Sequence, residues 1–311
     1  MPRLRRLAER TLRATGTFQL TKRAFQRVET AGLQFLKHWE KMLHGAQSPT
    51  RRESVVMLHT GRSGSSVLGD MLGRHPAIHW DGELFNYQLQ LWRRRPKFRL
   101  PEAICLIERR MNLFDKPCYG FEILKTHLQA GQMTNSEFIT ALESLGIEQF
   151  ILLTRKNILR KIISNLVARQ RGRWRVEAGE VLPITRIHVD VDKLRMASVK
   201  PLLDHISDMQ KEYADLRSVL SSRRHLQLVY EDDVQRDPRR AYRKICEFLE
   251  VDYAELPVRH GRTTPQPLRQ VIRNYDEVAR LLSATEFGWM LGESSGPELS
   301  ARDRLAQQPG P

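Results

Sequence analysis

The 311-residue chain is 41% hydrophobic and carries 51 lysines and arginines against 36 acidic residues, a formal net charge of +15. That much apolar residue builds a sizeable core and excludes a wholly disordered chain, while the charge points to anionic ligands or surfaces. Cys105, Cys118 and Cys246 have neither metal-ligand nor redox spacing, which argues against a disulfide framework or a zinc ribbon and fits a reducing compartment.

In chain order, residues 1–52 come first and hold 12 of the lysines and arginines against 3 acidic residues. Residues 1–20 lack the apolar core of a secretory signal. No stretch approaches the roughly 18–20 uninterrupted apolar residues of a membrane span, so the chain reads as soluble or peripheral. Within 22–43, Phe25, Val28, Phe35, Leu36, Trp39 and Leu43 recur at helical spacing beside Lys22, Arg23, Arg27, Lys37 and Lys41. This pattern predicts a basic amphipathic helix, either packed on the domain with a solvated face or in peripheral contact with a membrane. Residues 44–52 read as a linker.

From 53 to 291, short apolar runs alternate with longer helical segments. Strands are expected at 54–59, 119–124, 149–154 and 225–230, and helices at 65–73, 135–145, 158–169, 193–220 and 238–249. The alternation predicts a P-loop-like, three-layer α/β domain with a central parallel sheet and helices on both faces. Residues 292–311, rich in Gly, Ser, Pro and Gln, read as a flexible tail.

Two segments carry chemistry. The first strand runs into Thr60-Gly61-Arg62-Ser63-Gly64-Ser65-Ser66 and then a helix. Gly61 and Gly64 let the backbone curl round an anion, the helix N-terminus presents unpaired amides, and Ser65 and Ser66 add hydroxyls. The loop lacks the Gly-x-x-x-x-Gly-Lys-Ser/Thr spacing of nucleotide triphosphatases, which counts against an ordinary kinase. A plain turn leading into a serine-capped helix is the competing account. The second segment is the end of the third strand, Thr154-Arg155-Lys156-Asn157, where Arg155 stands at the carboxyl edge of the sheet. Asn157 caps the next helix, and Arg160 and Ser164 share one of its faces, so Arg155 and Ser164 can grip a second phosphate. An exposed basic helix start is the alternative.

Together these motifs resemble the sulfotransferases that use 3′-phosphoadenosine 5′-phosphosulfate (PAPS). Gly61-Arg62-Ser63-Gly64-Ser65-Ser66 is similar to that family's 5′-phosphosulfate loop, and Arg155 with Ser164 to its 3′-phosphate motif. Further similarity lies in Leu228-Val229-Tyr230-Glu231-Asp232, in Asp237-Pro238 and in Ile272-Arg273-Asn274-Tyr275-Asp276. Lys156-Asn157 stands where the commoner form has Asp-Pro, a variant that resembles bacterial carbohydrate sulfotransferases. The resemblance implies transfer of a sulfuryl group from PAPS to a hydroxyl or amine, leaving adenosine 3′,5′-bisphosphate (PAP), with no metal. The acceptor it suggests is a carbohydrate or glycolipid.

Under that resemblance Arg62 and the loop amides stabilise charge on the bridging oxygen, and Glu83, in Asp81-Gly82-Glu83-Leu84-Phe85, is the general base. Asp81 and His127 are the other candidates for the base. Tyr230-Glu231 is expected to buttress the 3′-phosphate region, and Lys125 to line the acceptor site. Residues 170–175, with Trp174 among arginines, have the composition of a ligand loop. A magnesium-dependent P-loop phosphotransferase and a nucleic-acid-binding protein are the competing functions. The first lacks its lysine and the second any groove-reading motif, so no nucleic-acid partner is expected. Soluble members of the family imply a cytoplasmic location.

Overall fold

The computed structural model describes residues 53–86 and 99–292. The basic helix expected at 22–43, the linker at 44–52 and the tail beyond 292 lie outside them. Strand β1 (Glu53–His59) leads through the small-residue loop into helix α1 (Ser65–Arg74), and β2 (Ile78–Glu83) follows. Next come α2 (Leu100–Met111), β3 (Cys118–Leu124), α3 (Lys125–Gly131), α4 (Asn135–Ser144), β4 (Gln149–Thr154) and α5 (Ile158–Arg171). A hairpin of β5 (Leu194–Arg195) and β6 (Val199–Lys200) precedes α6 (Leu202–Leu220), β7 (His225–Val229) and a π-helical turn (Tyr230–Val234). The described chain closes with α7 (Pro238–Phe248), α8 (Leu268–Val271), α9 (Tyr275–Ser283) and a 3-10 turn (Gly288–Leu291).

The main sheet has five strands in the order β2-β3-β1-β4-β7, and every neighbouring pair is parallel. Alternate residues of its strands feed two cores, as pleating requires. Val56, Leu58, Phe121, Phe150 and Leu152 pack against Ile107, Phe138, Leu142, Leu216 and Leu220 of α2, α4 and α6. Val55, Met57, Ile151, Leu153 and Leu228 pack against Leu68, Met71 and Leu72 of α1 and Tyr242 and Ile245 of α7. The result is the expected α/β domain with helices on both faces of a parallel sheet, and a P-loop-like turn after its central strand. A third core joins Leu159, Ile162 and Ile163 of α5 to α6, α8 and α9.

Local chemistry sets the helix starts. Thr134 and Glu137 form a reciprocal capping box on α4, Asn157 Oδ1 accepts from the Arg160 amide on α5, and Asp237 accepts from the Arg239 amide ahead of Pro238 on α7. The helix expected at 193–220 begins only at Leu202. Pro201 caps it in extended backbone, and the residues before it form the β5–β6 hairpin, because a proline there removes a helical N–H and blocks an earlier start. The sequence reading also missed β2, whose Asp81-Gly82 looks like a turn. It is an edge strand on β3, with a register shift between Trp80 and Glu83 where Gly82 adopts φ +65°.

Two bridges shape the edge of the site. The Ala178 amide donates to Arg259 O and the Gly261 amide to Val176 O, both at 2.9 Å, tying the segment after α5 to the segment before α8. No helix among the described residues is long and apolar enough to cross a membrane.

Candidate active site

β1 and β3 end level and β4 runs one residue further, since His59 lies opposite both Leu124 and Leu153. The β1 loop, the end of β4 and the start of α3 are thereby gathered at the carboxyl edge of the sheet, where the strand order reverses and open α/β sheets bind ligands. Gly61 and Gly64 adopt φ +76° and +91°, and Arg62 between them takes φ +53°. A non-glycine residue in that region costs about 1–2 kcal/mol, strain of the kind that persists at functional sites. Gly64 could not carry a side chain: a Cβ there would lie 2.8 Å from Val234 Cγ1 and 3.1 Å from the Tyr230 ring.

The loop is clamped from within. The Gly61 amide donates to His59 Nδ1 at 3.0 Å, so the ring's proton lies on Nε2, which donates to Glu122 Oε2 at 3.1 Å. Glu122 is buried and accepts a second bond, from Trp80 Nε1 at 2.9 Å. Ser63 is also buried and turns its hydroxyl onto Gly61 O at 3.1 Å, which leaves its backbone as its means of meeting a ligand. Ser65 and Ser66 form the first turn of α1, whose leading amides have no intrahelical acceptor.

The two sequence motifs, about a hundred residues apart, converge on one spot. Arg62 Nε and Nη2 donate to Ser164 Oγ at 3.1 and 2.9 Å. Its Nη1 donates to Trp174 O at 3.0 Å, and Nη2 also meets Thr263 Oγ1. Thr263 and Ser164 hydroxyls are 3.1 Å apart. Arg155 Nη1 donates to the Arg62 carbonyl at 2.9 Å while its guanidinium stacks 4.3 Å over Tyr230. Its buried Nε has no hydrogen-bond partner among the described residues and stands 3.6 Å from Glu231 Oε1. Glu231 is occupied by the amides of Lys156 and Asn157, at 2.9 and 3.1 Å, as a buttress of this corner. Burial and the neighbouring Arg155 hold the Arg62 guanidinium down at about 10, against the raising effects of Tyr230 and Glu83, so it stays charged at neutral pH. Burial likewise lowers Arg155. An orphaned guanidinium N–H beside clustered hydroxyls and helix amides fits a polyanionic ligand.

Glu83 ends β2. The register shift sets it opposite Glu122, and its carboxylate lies within 4.8 Å of the polar atoms of His59 and Glu122. These three are the grouping among the described residues that could hold a metal, although both ring nitrogens of His59 are already engaged by Gly61 and Glu122. Asn86 Nδ2 donates to Glu83, and Asn86 Oδ1 is 3.4 Å from His127 Nε2.

The competing bases are engaged elsewhere. Asp81 accepts from Arg110, from Tyr119 OH at 2.6 Å and from His79 at 3.3 Å. These bonds outweigh burial and hold its carboxyl far below the ordinary range. His127 is buried, its Nδ1 accepts the Leu124 amide at the start of α3, and burial together with His59 pushes it down to about 3. Lys125 is paired with Glu212 at 2.8 Å. Trp174 is half-exposed, with its ring 5.8 Å from the Arg62 guanidinium.

Sequence reading missed Lys161, Tyr213 and the His59–Glu122 pair. The bridge between residues 176–178 and 259–261 is what delivers Thr263, while Lys161 and Tyr213 carry no local signal. His59 had one: a polar residue closing an otherwise apolar strand directly before a glycine loop.

No protein-family model matches the chain, and no curated protein matches it. Among solved structures, it is similar to a sulfotransferase from Alicyclobacillus acidocaldarius, with 14% sequence identity and a TM-score of 0.41, over 77% of this chain and 94% of that one.

Proposed function

We propose that the protein is a sulfotransferase that moves a sulfuryl group from PAPS to a hydroxyl of an acceptor, a carbohydrate or glycolipid by the motif variant it carries. The observation that supports this most is the junction of two anion cradles at Arg62, which reaches Ser164 Oγ at 2.9 Å while Arg155 holds its carbonyl. One cradle suits the 5′-phosphosulfate and the other the 3′-phosphate of a single nucleotide.

In this reading the amides of Gly64, Ser65 and Ser66, with the Ser65 and Ser66 hydroxyls, hold the 5′-phosphosulfate, and Gly61 and Ser63 shape the loop. Arg155 and Ser164 hold the 3′-phosphate. Glu83 takes the acceptor's proton as its oxygen attacks sulfur. The sulfur–oxygen bond to the 5′-phosphate breaks with its electron pair on the bridging oxygen, and Arg62 stabilises the charge that builds there. PAP and the sulfate ester are released, and Glu83 returns its proton to water. Asp81 is too firmly ion-paired for Glu83's task, and His127 is buried with both nitrogens occupied.

The test is thermal unfolding with PAP, with ATP plus magnesium as comparison, in the native protein and in Arg155→Ala. A selective ligand stabilises the folded state by mass action. Stabilisation by PAP that is lost in Arg155→Ala and unmatched by ATP is the expected result, followed by an acceptor screen. Absence of a PAP response overturns the assignment, and a response to ATP with magnesium alone replaces it with a phosphotransferase.

A further inference from the structure

The mechanism above gives no part to Lys161. Lys161 sits one turn into α5 and is only 2% exposed. Its ammonium donates to Thr60 Oγ1, the residue that opens the β1 loop, and to Tyr213 OH at 3.3 Å, with the Tyr213 ring centred 5.4 Å away. Thr60 Oγ1 and Tyr213 OH are themselves 2.8 Å apart, which closes a triangle of polar groups beneath the loop.

No carboxylate pairs with Lys161 among the described residues. The acids nearby are committed to others: Glu212 to Lys125, and Glu231 to Arg155 and two amides. A buried ammonium without a counter-ion is costly to hold, and a folded chain keeps one only where something offsets it. Arg62 and Arg155 lie at the same loop, so the corner carries more positive charge than its own acids neutralise. An anion bound at the loop would supply the negative partner that the described residues do not. Low dielectric beneath the loop lets such a charge act on it with little screening.

We propose that Lys161 is a positioning residue for the anion loop, gripping Thr60 from below while its charge strengthens the hold on an anionic group bound above. Tyr213 keeps the ammonium in place by its hydroxyl and by the face of its ring. This rests on the anion-binding role of the loop proposed above, but not on the identity of the donor.

The two roles that Lys161 could play, structural or ligand-directed, predict opposite outcomes for Lys161→Met, which keeps the stem and removes the charge. A structural lysine lost this way lowers the melting temperature of the free protein and leaves affinity alone. The role proposed here leaves the free protein's melting temperature unchanged or raised, because an apolar chain replaces an unpaired buried charge. It weakens binding of both PAP and inorganic pyrophosphate by about tenfold or more, as measured by titration calorimetry. Tyr213→Phe weakens both by a smaller factor.

Affinity of Lys161→Met within twofold of the native protein overturns the proposal. Should Lys161→Met fail to fold, Lys161→Gln is measured in its place; if neither folds, Lys161 is structural and the proposal falls. Pyrophosphate separates this from the donor assignment. If the native protein binds pyrophosphate but not PAP, and Lys161→Met weakens the former, the sulfotransferase reading fails while the role of Lys161 stands. If it binds neither, both fall.

Discussion

Replacing His59 by asparagine or by glutamine separates the two jobs of its ring. Asparagine offers an oxygen near the Nδ1 position and can still accept the Gly61 amide, but it cannot reach Glu122. Glutamine reaches toward the Nε2 position and can donate to Glu122, but it releases Gly61. In His59→Asn the buried Glu122 carboxylate loses one of its two donors, keeping Trp80 Nε1. A hydrogen bond to a charged group is worth about 1.5–3 kcal/mol, and a domain of this size loses roughly 2–4 °C per kcal/mol, so the melting temperature falls by about 3–12 °C. His59→Gln loses a neutral bond worth about 0.5–1.5 kcal/mol, a fall of about 1–6 °C by the same conversion.

For PAP affinity the order reverses, because the Gly61 amide shapes the loop: His59→Asn binds more tightly than His59→Gln. Thermal unfolding gives the first ranking and calorimetric titration with PAP the second. If stability and affinity rank the two variants in the same order, the division of labour between Nδ1 and Nε2 is refuted.

Glu83→Gln lowers the rate of sulfuryl transfer by about 10²–10⁴-fold, measured as PAP release with an accepted acceptor, while PAP affinity does not fall. Gly64→Ala destabilises by about 2–5 kcal/mol in denaturant unfolding, since the new methyl meets Val234 at 2.8 Å in a left-handed backbone. His127 sits at about 3 in the folded protein, well below the unfolded value of about 6.5. The unfolded chain therefore binds a proton that the native state refuses. The stability this histidine contributes is complete above pH about 6.5 and falls by up to about 1.4 kcal/mol per unit as the pH drops toward 3. His127→Asn, which can still cap α3, shows a shallower fall over that window when urea midpoints are compared across pH.

The buried strands were legible because residues such as Val55-Val56-Met57-Leu58 and Ile151-Leu152-Leu153 have no alternative to a two-faced parallel strand. The edge strand β2 was not, since its half-buried residues and its Asp-Gly pair carry the signature of a turn. Glu83 closes that strand. The anion loop and the Arg155–Ser164 segment could be read from local spacing. Their union at Arg62 could not, because it depends on the β1–β4 pairing and on a bridge between segments some eighty residues apart. Lys161 was hidden for a different reason: in sequence it is one more basic residue in a helix that already has several.

The position of β1 has a consequence for how such a site can change over generations. Everything proposed to grip the nucleotide comes from β1 and from the β4 and β7 side, while Glu83 and the residues leading to it come from β2 and β3 on the opposite flank. The spacing between the gripping residues is fixed by backbone pairing of two adjacent strands, which side-chain substitution does not alter. Substitutions around Glu83 that spare Trp80 and Glu122, which clamp the loop through His59, can therefore remodel what is offered to the transferred group without disturbing the grip. One flank is free to explore new chemistry while the other keeps its currency.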